Sequence, residues 1–240
     1  MFALGLVYWL FDEPMDKAIH LLEEKFSKKP ALIAPNTKVM VDGYNYGQNL
    51  ALTVHQIHLD DAEWSADHQK GQYTSIAGNK ATAWGLIAAA EKAGKQLFLG
   101  SYPITPATDI LHELAARKDM GVMVVQAEDE IAGVCTAIGA SFAGDLAVTS
   151  TSGPGLSLKS EAVGLAVMAE LPLVVIDVQR GGPSTGLPTK TEQTDLLQAI
   201  WGRNGECPAV VLAASTAANC FDYAYQACKI AVENMTPVIL

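Results

Sequence analysis

From about residue 76 onward, short apolar runs alternate with longer segments rich in alanine, glycine and other small residues. GNKATAWGLIAAAEKAG (78–94) reads as a helix closed by Gly94 as a C′ glycine, and QLFLGS (96–101) as a strand. After YPITP come a helix in TDILHELAARK, a strand in GVMVVQA and a small-residue helix in EDEIAGVCTAIGASFAG. LAVTSTSG is a strand, LSLKSEAVGLAVMAE a helix, LPLVVIDVQ a buried strand, and RGGPSTGLPTKTEQTD a long loop. The helix LLQAIWGR, the strand PAVVLAAS, the helix TAANCFDYAYQACKIAVEN and the strand MTPVIL complete the series. Strands that are apolar throughout, rather than alternating, are those covered on both faces. The pattern predicts an α/β fold, a parallel sheet with helices on both sides.

Upstream the texture differs. MFALGLVYWLF (1–11) is a continuous apolar run, and DEPMDKAIHLLEEKFSKK (12–29) has the marks of an amphipathic helix. There Pro14 suits a first turn, Ile19, Leu21, Leu22 and Phe26 form a stripe, and lysines close the end. Another element follows Pro35, and DGYNYGQN (42–49) reads as turn-rich. The polar, aperiodic stretch at 53–70 reads as a linker. The expected organisation is a domain remnant at 1–52, a linker at 53–70, an α/β domain at 71–236 and the start of a strand at 237–240. The run at 1–11 is then the tail of a domain severed upstream, and MTPVIL a strand cut short.

Composition narrows the classes. The chain has 240 residues, 50% hydrophobic and 18% charged, which excludes intrinsic disorder and allows a sizeable core. Its net charge of −10 argues against nucleic-acid binding and against docking on anionic lipid. No apolar run approaches the ~20 residues a membrane helix needs. Cys135, Cys207, Cys220 and Cys228 form no C-x-x-C pair and read as ordinary buried thiols of a reduced, cytoplasmic protein.

In parallel sheets ligands bind beyond the carboxyl ends of the strands, so the segments just after strands carry the chemistry. No G-x-G-x-x-G, Gly-Lys-Ser/Thr loop or G-x-S-x-G elbow stands there. His55, His58, Asp60, Asp61 and His68 read as a solvated linker rather than a metal site. In YPITP, Thr105 is a hydroxyl at a helix start, with Pro106 at the first position: a plain N-cap, or a ligand contact. Glu128-Asp129-Glu130 opens a helix, where acids complement the dipole. Glu130 also precedes an apolar face, where a desolvated carboxyl suits proton sharing with a ligand. TSTSGPG (149–155) is either a tight turn or a place where a ligand meets backbone. Arg180, flanked by glycines after a buried strand, is either in a structural ion pair or a carboxylate binder.

Together YPITP, QAEDEIAG with AIGASFAG, TSTSGPG, VIDVQRGGPSTGLPTKTEQTDL and GECPAVVLAAS resemble the alpha subunit of 2-oxoacid:ferredoxin oxidoreductases, in particular the 2-oxoglutarate type. The resemblance covers roughly residues 71–240, and residues 1–52 resemble more weakly the end of the family's gamma-type domain. It implies the pyrimidine-binding domain for thiamine diphosphate. A partner beta subunit would hold the diphosphate, Mg2+ and a 4Fe-4S cluster. The implied reaction converts a 2-oxo acid, coenzyme A and oxidised ferredoxin into acyl-CoA, carbon dioxide and reduced ferredoxin. The isolated chain would be inactive. The resemblance puts Glu130 on the aminopyrimidine, with Glu128 as the fallback, and Tyr102, Ser152 and Gly153 beside the cofactor. Thr105 and Arg180 would hold the substrate carboxylate, and no metal ligand is implied on this chain. The alternatives are a non-catalytic interaction subunit that keeps the fold, or the same reaction on pyruvate or another 2-oxo acid.

Overall fold

The computed structural model describes residues 1–50, 54–58 and 72–240, arranged as two compact units, Met1–Tyr73 and Thr74–Leu240. The expected linker at 53–70 lies largely outside the described residues.

The first unit holds helices α1 (Phe2–Leu10), α2 (Asp16–Lys25) and α3 (Ile33–Leu50). The amphipathic helix is shorter than expected. Ala18 and Leu22 are buried beside Met40, with Ile19 and Phe26 against them, but Leu21 faces out at 62% exposure. The apolar run at 1–11 is a helix that buries Gly5 and Trp9 and leaves Leu4 and Val7 exposed. The supposed turn at 42–49 is the last part of α3. Its glycines mark a helix crossing, not a turn. A Cβ on Gly43 would run into the Phe2 carbonyl, one on Gly5 into the Met40 carbonyl, and one on Gly47 into the Trp9 ring. Small residues on facing helices let two backbones touch, and that packing overrides their poor helix propensity.

The second unit runs α4 (Gly78–Ala93), β1 (Leu97–Ser101), α5 (Thr108–Ala115), β2 (Met123–Gln126), α6 (Glu130–Ala143) and β3 (Leu146–Thr151). It continues with α7 (Gly153–Met168), β4 (Leu173–Asp177), α8 (Leu196–Trp201), β5 (Val210–Val211), α9 (Ala217–Asn234) and β6 (Pro237–Ile239). The sheet is six-stranded and parallel in the order β2-β1-β3-β4-β6-β5. Gly94 ends α4 at φ 62°, in the left-handed region where a side chain is disfavoured. Strand residues alternate between two cores. Leu97, Leu99, Val148, Val174 and Ile176 face α4, α5 and α9, whereas Phe98, Ala147, Leu173 and Val175 face α6, α7 and α8. PAVVLAAS gives only two strand residues, because β5 is an edge that pairs with β6 at Val210↔Val238 and Val211↔Ile239 alone.

Gly43→Ala is expected to cost the α1–α3 pair about 1–3 kcal/mol by overpacking. Gly139→Ala, in α6 with open space around its Cα, should instead stabilise its helix by about 0.5–1 kcal/mol. Amide hydrogen exchange along each helix reads both effects.

Candidate active site

Strands β1 to β4 run in the same direction, so the segments that follow them gather at one edge of the sheet. Tyr102 follows β1 and is 37% exposed. Helix α6 lies directly on this strand end. A Cβ on Gly133 would stand 3.1 Å from Ser101 Cα and 3.3 Å from Tyr102 N, and one on Gly100 would meet the Gly133 carbonyl and the Thr136 hydroxyl. Backbone therefore touches backbone here, and the first turn of α6 is drawn into the sheet edge.

That first turn separates the three acids. Asp129 is the N-cap, its Oδ1 accepting from the Ala132 amide at 2.7 Å. Glu128 is exposed, whereas Glu130 is buried at 9% exposure. The Glu130 side chain lies against α7. A Cβ on Gly155 would come within 2.8 Å of its Cγ and 3.3 Å of its Oε1, and would also run into Thr151 Oγ1. Gly153, Pro154 and Gly155 are not a free turn but the first turn of α7, where proline's missing N–H costs nothing. Ser152 is the N-cap residue, fully buried, and its Oγ has no hydrogen-bond partner.

Arg180 and Thr105 meet, but not as a capped helix start and an ion pair. Helix α5 begins at Thr108, after the turn in which Ile104 O accepts the Thr108 amide at 3.0 Å, so Thr105 caps nothing and Pro106 precedes the helix. Arg180 is buried at 6% exposure and donates from Nη1 to Thr105 O at 2.8 Å and from Nη2 to Thr185 O. Its Nε is buried without a partner, and among the described residues no carboxylate forms an ion pair with it. The loop closes around it, with the Gly181 amide donating to Lys190 O at 2.8 Å and Thr194 Oγ1 to Arg180 O at 3.1 Å. A buried guanidinium held only by carbonyls keeps an uncompensated charge that an anion would neutralise.

Residues 89–240 match the family described as "Pyruvate flavodoxin/ferredoxin oxidoreductase, thiamine diP-bdg". The chain belongs to this family. The chain is 53% identical over 242 aligned positions, all of this chain and 36% of the relative, to the 2-oxoglutarate oxidoreductase subunit KorA of Mycobacterium tuberculosis. It is 46% identical over 166 residues, 69% of this chain and 43% of the relative, to the 2-oxoglutarate synthase subunit KorA of Methanothermobacter marburgensis. A solved 2-oxoglutarate:ferredoxin oxidoreductase from Magnetococcus marinus, with 2-oxoglutarate, coenzyme A and succinyl-CoA bound, superposes at a TM-score of 0.75 and 36% identity, covering 99% of this chain and 40% of that one. The chain thus spans less than half the length of these relatives.

In this oxidoreductase-family domain two features of the sheet edge are compatible with a polar cofactor ring: the buried Glu130 side chain and the Ser152 hydroxyl, which has no hydrogen-bond partner among the described residues. Among the described residues no group of three or more His, Cys, Asp and Glu stands close enough to hold a metal ion. Of the histidine-rich stretch, His58 Nδ1 lies 3.7 Å from Asp12 Oδ2, while Asp60, Asp61 and His68 lie outside the described residues. The thiols are not uniformly buried. All four are free, but Cys135 is exposed, Cys207 and Cys220 are half-buried, and only Cys228 is buried, its thiol pushed up to about 12 by desolvation.

Sequence reasoning missed three charged residues of this edge. Lys159, on α7, is fully buried and donates from Nζ to the Glu130 carbonyl at 2.7 Å. Desolvation lowers its amine to about 8, against the opposing pull of Glu130, Asp129 and Cys135. A signal existed, since Lys159 falls on the buried stripe of Leu156, Ala162, Val163 and Ala166. Asp177, at the end of β4, lies against Asp195, the N-cap residue of α8, and both line a cleft of about 320 Å³ together with Asn79, Thr82 and Gln193. Burial pushes Asp177 up to about 8, helped by its hydrogen bond to Asp195 and by the like charge there. Asp195 Oδ1 accepts from Gln179, while Asp177 Oδ1 and Asp195 Oδ2 have no donor. A proton kept on Asp177 satisfies the contact between the two carboxyls.

Because the folded-state value of Asp177 lies above the ordinary carboxyl value of 3.8, folding holds this proton while the unfolded chain has lost it. The contribution is complete below about pH 4 and is lost as pH rises through 8. Asp177→Asn has no such loss. Its melting temperature relative to the unsubstituted protein should rise between about pH 4 and pH 8 and level off above, as read by thermal melts across that range.

Proposed function

We propose that this chain is part of the alpha subunit of a thiamine diphosphate-dependent 2-oxoacid:ferredoxin oxidoreductase acting on 2-oxoglutarate. The reaction is the oxidative decarboxylation of the 2-oxo acid to its coenzyme A thioester, with release of carbon dioxide and ferredoxin as electron acceptor. The observation that carries this reading is the packing of the buried Glu130 side chain against the first turn of α7, at the same sheet edge as Arg180, which has no ion pair among the described residues. The names of the relatives favour 2-oxoglutarate as the oxo acid.

When bound, thiamine diphosphate supplies the nucleophilic carbon that adds to the keto group and accepts the electrons of decarboxylation. The chain's own residues do the rest. With the cofactor bound, Glu130 would share a hydrogen with the pyrimidine ring nitrogen from its place against the first turn of α7. Ser152 and the Gly153 backbone border the ring, and Tyr102 stands at the neighbouring strand end. Arg180 holds the carboxylate that leaves as carbon dioxide, and the exposed Thr105, its carbonyl already fixed by Arg180, presents its hydroxyl to the same group. Two carbonyl bonds already occupy the guanidinium, so the carboxylate is gripped without the full bidentate pairing that would stabilise the ground state.

The diphosphate site, Mg2+ and the 4Fe-4S cluster belong, on this reading, to a partner beta subunit. Helices α6, α7 and α8 expose Phe142, Leu158, Leu165, Met168, Leu197 and Trp201 on the same side of the sheet. Large apolar side chains gathered on one face support a protein partner there. The net charge of −10 makes this chain a poor seat for an acidic ferredoxin, so electron transfer is assigned to the partner. The complex is read as cytoplasmic on the resemblance to its oxidoreductase family. Among the described residues no helix is long and apolar enough to cross a membrane.

The test is co-expression of the complete alpha and beta subunits, followed by 2-oxo-acid-dependent reduction of a viologen dye. Glu130→Gln should lower kcat by about 100-fold or more, while Glu128→Gln, altering an exposed side chain, should stay within about twofold of the unsubstituted enzyme. Equal activity in both variants would remove the thiamine role from this cluster and favour a non-catalytic subunit.

A further inference from the structure

The buried stripe of α7 holds one cation among apolar and small residues. Lys159 is fully buried where Leu156, Ala162, Val163 and Ala166 are its neighbours along the helix. Its amine forms no ion pair among the described residues, and its one hydrogen bond goes to the main-chain carbonyl of Glu130 at 2.7 Å. Burying an ammonium group on so little compensation costs stability, and a methionine of similar length would fill the same space without that cost. A cation kept under those terms points to a role outside packing.

The role is visible in what α7 does to Glu130. Gly155 and Lys159 are four residues apart and so lie one above the other on the same face of the helix. Gly155 makes room for the Glu130 side chain, and Lys159 takes the carbonyl of the same residue. We propose that Lys159 is a positioning residue for Glu130: α7 grips that residue at two points one helical turn apart, so that its carboxyl is presented in a single orientation with a positive charge behind it. The groups that face the amine are Glu130, Asp129 and Cys135, in the N-cap and first two turns of α6, so its field is felt at the start of that helix. The inference rests on the thiamine reading of Glu130 and adds to it the residue that sets the carboxyl in place.

A double-mutant cycle in the complete alpha–beta complex tests this, with thiamine diphosphate affinity measured by titration and kcat and KM by dye reduction. Lys159→Met should weaken thiamine diphosphate by about tenfold and lower kcat by about tenfold, with the KM for the 2-oxo acid unchanged. In the Glu130→Gln background the same substitution should change affinity by less than about twofold, because the carboxyl it serves is gone. Lys159→Arg, which keeps charge and donors, should restore affinity to within about threefold of the unsubstituted complex. Wild-type affinity in Lys159→Met, an equal loss in both backgrounds, or no recovery in Lys159→Arg would overturn the proposal. Failure of both Lys159 variants to assemble would overturn it too, since a scaffold role would then suffice. Should the unsubstituted complex bind no thiamine diphosphate, the thiamine reading falls and this inference with it; binding with additive losses removes the inference alone.

Discussion

The backbone contact between α6 and the end of β1 is the constraint on which the rest of the site depends. Gly100 and Gly133 let the helix settle onto the strand with no side chain between them. That closeness turns the first residue of α6 inward, so that Glu130 is buried while its neighbours Glu128 and Asp129 remain in solvent. A methyl group at either glycine would push the helix out and move the carboxyl with it. Gly155 completes the arrangement from α7, since no other residue leaves space for both Thr151 Oγ1 and the Glu130 side chain.

Around this packed junction the electrostatics are left unfinished. Among the described residues Arg180 carries a buried charge opposed only by carbonyl oxygens, Ser152 Oγ has no partner, and Lys159 is an ammonium group with a single bond. Folded domains rarely leave such groups at one place without a reason, because each costs desolvation energy. Their concentration at the carboxyl edge of a parallel sheet follows the general rule for ligand sites in α/β folds. Asp177 answers part of the same problem internally, keeping a proton in its contact with Asp195 at the wall of the neighbouring cleft.

Legibility differed by element. The apolar runs at 97–101, 146–151 and 173–177 read directly as strands, and Gly94 as a helix stop, because burial on both faces and a left-handed φ leave unambiguous residue signatures. Glycines in other roles misled. DGYNYGQN looked like turns and is helix, and Gly153-Pro154-Gly155 looked like a loop and opens α7. In both cases the glycine answers to a neighbouring element rather than to its own backbone. Thr105 had the sequence of an N-cap, yet its carbonyl is taken by Arg180, 75 residues further on.

The sequence by itself determined the parallel α/β architecture, the edge at which chemistry had to lie, and the short set of side chains able to perform it. Periodicity and strand-end motifs are local, and local patterns survive being read along one dimension. Only the tertiary structure decided which acid of the Glu128–Glu130 cluster is buried, that Arg180 has no counter-ion among the described residues, and that a lysine mid-helix reaches the carbonyl of Glu130. Those are facts of distance between segments far apart in the chain, fixed by how closely two backbones approach. No spacing along the chain records them.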